Sequence, residues 1–112
     1  MIITLTANPS LDRTIELGAP LAHGAVQRAV GAVQDPGGKG VNISRALQVS
    51  GVPTLAIVPG EATDPVLTAL SAVDVEFANL PTGEPIRSNV TVVDPDGTTT
   101  KLNAPGTVFD AE

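Results

Sequence analysis

Cysteine is absent from the 112 residues, and His23 is the only histidine. No disulfide framework, thiolate nucleophile, thiolate metal site or His-pair metal site can be built from this chain, so no metal site is expected. Tryptophan and tyrosine are missing too, and aromatics make up 2% of the residues. The core must therefore come from Val, Leu, Ile and Ala, and the stacking platforms that bind single-stranded nucleic acid are scarce. Basic residues are few: six Lys and Arg stand against twelve Asp and Glu, for a formal charge of -6. That balance repels a phosphate backbone and argues against a nucleic-acid partner. It leaves room for a small anion, because a few local cations can dominate one cleft. No apolar run reaches membrane-spanning length. The start, Met1-Ile2-Ile3-Thr4-Leu5-Thr6, lacks the basic and long apolar regions of a signal peptide. The expectation is a cytoplasmic protein without a membrane partner.

What is present is a chain with 42% hydrophobic residues, enough for one domain with a modest core. Residues 2–6 read as a buried, central strand that stops at the Asn8-Pro9 turn signal. Residues 12–17 alternate like a half-exposed strand, 18–24 form a loop that carries an exposed His23, and 25–33 read as a strand ending before Asp35-Pro36. Residues 41–50 have helical spacing, with Val41, Ile43, Ala46 and Leu47 inward and Gly51 as the stop. Residues 54–58 and 75–80 read as further strands. Asp64-Pro65 offers an N-cap and a Pro at the first helical position for a helix to Ala72. Residues 86–93 and 98–103 form a hairpin around Asp94-Pro95-Asp96-Gly97. Strands 2–6, 54–58 and 75–80 alternate with helices, which favours a parallel α/β layer. Strands 12–17, 25–33, 86–93 and 98–103 are joined by loops and turns and read as an antiparallel accessory sheet. A cleft is expected between the two parts. A parallel layer of this size also leaves an apolar edge and face open.

Several segments could carry chemistry. In Gly37-Gly38-Lys39-Gly40-Val41-Asn42 the glycines admit close backbone approach, and the helix start points free N–H groups and partial positive charge at a ligand. Lys39 adds a full charge, and Asn42 adds groups for hydroxyls. The pattern suits a phosphorylated sugar, and equally an ordinary Gly-rich helix start. It is not a Walker A loop, since Gly40 follows the lysine where Ser or Thr is needed. Nor is it a dinucleotide fingerprint, whose spacing differs. Asp12 follows the first strand, where ligands of open α/β sheets bind, and its carboxylate could hold two sugar hydroxyls. A loop cap or Asx turn explains it as well. Arg87 and Asn89 share one face of a strand. Lys101 on the paired strand joins that face or sits in solvent. Arg28, in the candidate strand 25–33, reads as a solvated charge.

Taken together, the segments Asn8-Pro9-Ser10-Leu11-Asp12-Arg13-Thr14, Pro36-Gly37-Gly38-Lys39-Gly40-Val41-Asn42-Ile43-Ser44-Arg45-Ala46-Leu47, Arg87-Ser88-Asn89-Val90-Thr91 and Asp96-Gly97-Thr98-Thr99-Thr100-Lys101-Leu102-Asn103 resemble the PfkB-type, ribokinase-like carbohydrate kinases, in their 1-phosphofructokinase and tagatose-6-phosphate kinase branch. The resemblance runs through essentially the whole chain, in order. It implies the N-terminal part of a ribokinase-like α/β fold, a parallel layer plus a small antiparallel β-sheet lid built from about residues 12–34 and 86–103. It implies ATP-dependent phosphorylation of a sugar phosphate, with fructose 1-phosphate to fructose 1,6-bisphosphate as the first choice and tagatose 6-phosphate or fructose 6-phosphate as alternatives. By similarity, Asp12 holds sugar hydroxyls, Gly38 and Asn42 line the sugar, and Lys39, Arg87 and Asn89 hold its existing phosphate. Arg28 and Lys101 become lid positions that can reach a partner subunit, and the lids are expected to pair in a homodimer.

The family's Gly-Ala-Gly-Asp-type catalytic motif is not in these residues. The resemblance therefore places the catalytic base and the sites for ATP and Mg outside this chain, names no catalytic residue within it, and implies a fragment that is inactive alone. Two other readings compete with the kinase half. One is a non-catalytic module for sugar-phosphate binding or dimerisation. The other is an unrelated small α/β domain with a chance Gly-rich loop.

Overall fold

The computed structural model describes residues 1–106. Its elements are β1 (Ile2–Leu5), β2 (Ser10–Leu17), β3 (Ala29–Gly37), α1 (Lys39–Val49), β4 (Thr54–Pro59), α2 (Pro65–Ala72), β5 (Phe77–Leu80), β6 (Arg87–Val93) and β7 (Thr99–Asn103). They form two sheets. The first is three-stranded, in the order β1-β4-β5, and parallel throughout. The second is four-stranded, in the order β3-β2-β6-β7.

The second sheet is antiparallel at both margins, β2 with β3 and β6 with β7, but its central pair β2–β6 is parallel. The hairpin turn dictates the direction of β7, because Gly97 takes a φ of 87° and the Asp94 carbonyl accepts from the Gly97 N–H at 2.9 Å. In that turn Asp96 accepts from the Thr98 N–H at 3.0 Å, and this bond holds its carboxyl below the usual value. No turn joins β2 to β6. β3, α1, β4, α2 and β5 lie between them in sequence, which is the long connection a parallel pair requires.

β1 was expected at the centre of its sheet but lies at its edge among the described residues. Both helices pack on the face that carries Thr4, Ala56 and Val58. The other face carries Ile3 and Leu5, 61% and 66% exposed, and no described helix covers it. A parallel sheet ordinarily buries both faces, so the open apolar edge and face are as expected for this length of chain. The core is Val41, Ala56, Val58, Leu67, Leu70 and Val75, aliphatic as the composition requires.

β3 departs most from its expected bounds. It begins at Ala29 instead of residue 25 because β2 runs out: a bulge at Glu16/Leu17 ends the ladder with Leu17 opposite Ala29. Arg28 therefore precedes the strand and is exposed. At its other end β3 continues through Asp35 and Pro36 to Gly37, with Pro36 opposite Leu11. Proline is tolerated there because β3 is an edge strand and its missing N–H leaves no gap in the ladder.

α1 buries Gly40, Val41 and Ser44, while Ala46 and Ile43 are exposed and Leu47 is half-buried. Ala46 lies about 140° around the helix from Val41, too far to share its face. The inward stripe is set by a hydroxyl instead. Ser44 Oγ sits 2.7 Å from Thr4 Oγ1 and 2.9 Å from Thr54 Oγ1, which joins α1 to β1 and β4 through buried groups. α2 starts as its sequence says. Asp64 caps it by accepting from the Val66 N–H at 3.0 Å, and its second oxygen accepts from the Ile86 N–H at 2.9 Å, at the approach to β6.

Replacing Ser44 by Ala would strand the hydroxyls of Thr4 and Thr54 in the interior. A loss of about 1–3 kcal/mol is expected in denaturant unfolding, and an unchanged midpoint would show that the hydroxyl chain contributes nothing.

Candidate functional site

Register decides which side chains meet. Asp12 on β2 lies opposite Asp35 on β3 and Asn89 on β6, and Asn89 in turn lies opposite Asn103 on β7. Directly opposed residues point to the same side of a sheet. A polar row, Asp35–Asp12–Asn89–Asn103, thus crosses the whole lid. The next row on the same face is Val33–Thr14–Thr91–Lys101. Within the polar row, Ser10 Oγ donates to Asp12 Oδ1 at 2.7 Å, and the Asn89 amide approaches the same oxygen at 3.4 Å. Asn89 Oδ1 accepts from the Ala104 N–H at 3.1 Å. These bonds aim the Asp12 carboxylate and fix the orientation of the Asn89 amide.

The polar face looks onto the exposed flank of α1. A cleft of about 440 Å³ opens between them, lined by Asp12, Asn42, Arg45, Asn89, Lys101 and Asn103 among others. The β3–α1 junction beside it requires glycine. A Cβ on Gly37 would collide with Asp12 Oδ2 and come within 2.7 Å of Ser10 Oγ. Gly38 has a φ of 126°, where a side chain is strained, and a Cβ there would stand 2.5 Å from Thr6 Cγ2.

Beside this cleft is a second pocket of about 380 Å³, at the junction of the β1 end and the α1 start, with Gly38, Lys39, Gly40 and Arg87 in its wall. Gly38 caps α1 without a side-chain acceptor, and the first turn holds no acidic residue. The first N–H groups of α1 are therefore free of side-chain partners among the described residues, and they favour an anion. Thr6 lines the same pocket, and its Oγ1 is buried without a partner there.

The expected site residues are thus divided. Asp12, Asn42, Asn89 and Lys101 meet in the larger cleft, and Gly38, Lys39 and Arg87 meet in the smaller one. Arg87 and Asn89 share a face as expected, but the Arg87 guanidinium is turned to the backbone. Nε, Nη1 and Nη2 donate to the carbonyls of Pro9, Ala104 and Asn8 at 3.4, 3.2 and 3.3 Å. Arg87 ties β6 to the β1–β2 connection and to the exit of β7. Arg28 lines neither pocket. Residues that the sequence did not single out join the site: Asp35, Asn103, Thr6 and Arg45. Arg45 had a signal, since it stands one helical turn beyond Asn42 and so shares its side of α1. It reaches Asp35 at 3.6 Å across the cleft mouth.

No protein-family model matches the chain. A 1-phosphofructokinase of Haloferax volcanii is 47% identical over 45 residues, which is 40% of this chain and 15% of that protein. A 1-phosphofructokinase of Xanthomonas campestris pv. campestris is 49% identical over 45 residues, 40% of this chain and 14% of that one. The crystal structure of phosphofructokinase-2 from Escherichia coli in complex with fructose-6-phosphate superposes with a TM-score of 0.85 at 27% identity, over 98% of this chain and 37% of that one. The chain is similar to PfkB-family phosphofructokinases along nearly its whole length, but spans little more than a third of theirs. It corresponds to the N-terminal part of the ribokinase-like fold, with the polar-faced sheet as its lid. The chain presents the α/β layer and lid of that fold, with both pockets between them.

Among the described residues no helix is long and apolar enough to cross a membrane. The outer face of the lid is apolar: Ile15, Val90 and Val92 are half-buried, and Val30 and Leu102 are 71% and 63% exposed.

Proposed function

We propose that this chain forms the acceptor side of a sugar-phosphate kinase, which holds fructose 1-phosphate while ATP-dependent transfer makes fructose 1,6-bisphosphate. The observation that carries the reading is the in-register row Asp12–Asn89 facing Asn42, with cationic side chains at the margins of the same cleft. Carboxylate and carboxamides side by side match adjacent sugar hydroxyls, which both donate and accept. Fructose 1-phosphate is favoured because the Haloferax and Xanthomonas relatives are 1-phosphofructokinases. Fructose 6-phosphate is the alternative, since the phosphofructokinase-2 neighbour is in complex with it. The described residues hold no group of three His, Cys, Asp or Glu side chains that could bind a metal ion, so no step through Mg is assigned to this chain. A non-catalytic sugar-phosphate-binding module would use the same cleft; since the chain alone is expected to be inactive, ATP consumption dependent on fructose 1-phosphate separates the two when measured on the full-length kinase that this reading implies.

Calorimetric titration with fructose 1-phosphate, fructose 6-phosphate and fructose tests the binding itself. At least one phosphate ester should bind about tenfold tighter than fructose, the value of one charge-assisted contact. Equal affinity for all three contradicts the reading.

The lid's apolar outer face supports a second copy as partner, sheet against sheet. Sedimentation should show a dimer that Leu102→Asp and Val30→Asp together convert to monomer. A dimer unaffected by that pair would place the contact elsewhere.

A further inference from the structure

β6 enters the cleft without a turn of its own to set its position. It pairs with β2 in parallel, so no hairpin fixes that register, and β7 only follows β6. Residues 81–86 link β5 to β6, and they are fastened to the turn between β4 and α2. Gly60 donates its N–H to the Leu80 carbonyl at 2.8 Å, and its own carbonyl accepts from Asn79 Nδ2 at 3.1 Å. Glu61 Oε1 accepts from the Gly83 N–H at 2.6 Å, and Asp64 Oδ2 accepts from the Ile86 N–H at 2.9 Å. Gly60, at a φ of 147°, leaves room for the Ile86 side chain, since a Cβ there would stand 2.7 Å from Ile86 Cδ1. Asp64 is 7% exposed, and no cation pairs with it among the described residues. Capping α2 needs one acceptor, which a neutral Ser, Thr or Asn supplies as well. A buried carboxylate is costly unless its oxygens are bonded, and the partner of the second oxygen is Ile86. α2 itself packs on β3 and β2. Its cap thus ties the start of β6 to the same helix that β2 rests on.

Resting on the sugar-phosphate reading above, we propose that Asp64, seconded by Glu61, is a positioning residue for the acceptor cleft: it sets β6 against β2 so that Asn89 stands opposite Asp12. Neither carboxylate lines the cleft. The residue that Asp64 holds, Ile86, immediately precedes β6, and Asn89 lies three residues further on. Arg87 grips the β1–β2 connection from within β6, while Asp64 and Glu61 supply the hold from the α/β layer. Released from that hold, β6 samples positions in which Asn89 leaves the row, and affinity falls with the fraction of molecules that keep it there. The hydroxyl-binding row is disturbed as a whole, so fructose weakens together with its phosphate ester.

The experiment reads the register without ligand and the cleft with it. Amide hydrogen exchange, and calorimetric affinities for fructose 1-phosphate and fructose, are measured on the unmodified protein, Asp64→Ser, Glu61→Ala and Glu61→Gln. Serine retains the α2 cap and lacks the second oxygen. Glutamine retains an acceptor for the Gly83 N–H, and alanine does not. Asp64→Ser should speed exchange of the β6 amides about tenfold, leave the β4 amides within about twofold, and weaken fructose 1-phosphate about tenfold. Glu61→Ala should do the same in smaller measure, and Glu61→Gln should return both readouts to within about twofold of the unmodified protein. Unchanged β6 exchange and affinity in Asp64→Ser would leave Asp64 a helix cap and overturn the proposal. Exchange rising equally in β4 and β6 would overturn it too, as a general loss of stability. Selective loosening of β6 with affinity unchanged would show that this hold does not govern the cleft, and the sugar-phosphate reading would stand without it. Failure of the unmodified protein to bind fructose 1-phosphate would remove the sugar-phosphate reading, and with it the role in the cleft, while β6 exchange would still show whether Asp64 sets the strand.

Discussion

β2 is paired along both of its edges, antiparallel to β3 and parallel to β6, and the candidate site depends on that double register. A slip of one residue on either side would turn Asp35 or Asn89 to the opposite face. With the observed register, Asp12 lies between Asp35 and Asn89, and Asn103 completes the line. Gly37 is the constraint that makes this possible at the β2–β3 end. It leaves open the space the Asp12 carboxylate occupies, and any side chain there would push the carboxylate out of the row.

The α/β layer supplies the other wall. α1 begins at Lys39, one residue after β3 ends at Gly37, so the end of the lid's ladder leads through Gly38 straight into the helix. Its buried stripe is anchored by Ser44 between Thr4 and Thr54. Anchoring one side of α1 leaves Asn42 and Arg45 to face the lid. Asp64 serves both parts, capping α2 and holding the approach to β6. Arg87 does the same at the centre, joining β6 to the β1–β2 connection and to the end of β7. The site is thus an interface between two sheets fastened at several points, where a ligand can touch both.

Local signals carried much of this in the sequence. The Asp94-Pro95-Asp96-Gly97 turn, the Asp64-Pro65 helix start and the alternation in residues 12–17 are chemistry of neighbouring residues, and each appears where it was expected. The kind of connection, helices for some strands and loops or turns for others, also separated the parallel strands from the lid. What it did not carry is pairing between distant segments. The parallel β2–β6 contact, the edge position of β1 and the run of β3 through Pro36 are set by partners far away in the chain. Asp35 and Asn103 belong to the site only through register, which no spacing rule within one strand reveals. The helix face of α1 was misread because a serine, not an alanine or isoleucine, turns inward. Arg87 and Asn89 were legible as neighbours, but the three carbonyls that occupy Arg87 come from other segments.

The central claim is that the lid row and the exposed flank of α1 form one cleft for a phosphorylated sugar. Amide chemical-shift mapping of the labelled protein during titration with fructose 1-phosphate tests it most directly. The account predicts shifts concentrated at Asp12, Asp35, Asn42, Arg45, Asn89 and Asn103, with Val30 and Leu102 on the lid's outer face unmoved. Shifts centred instead on the cavity of about 290 Å³ beside Met1, Asp74 and Glu76, with the row silent, would contradict it.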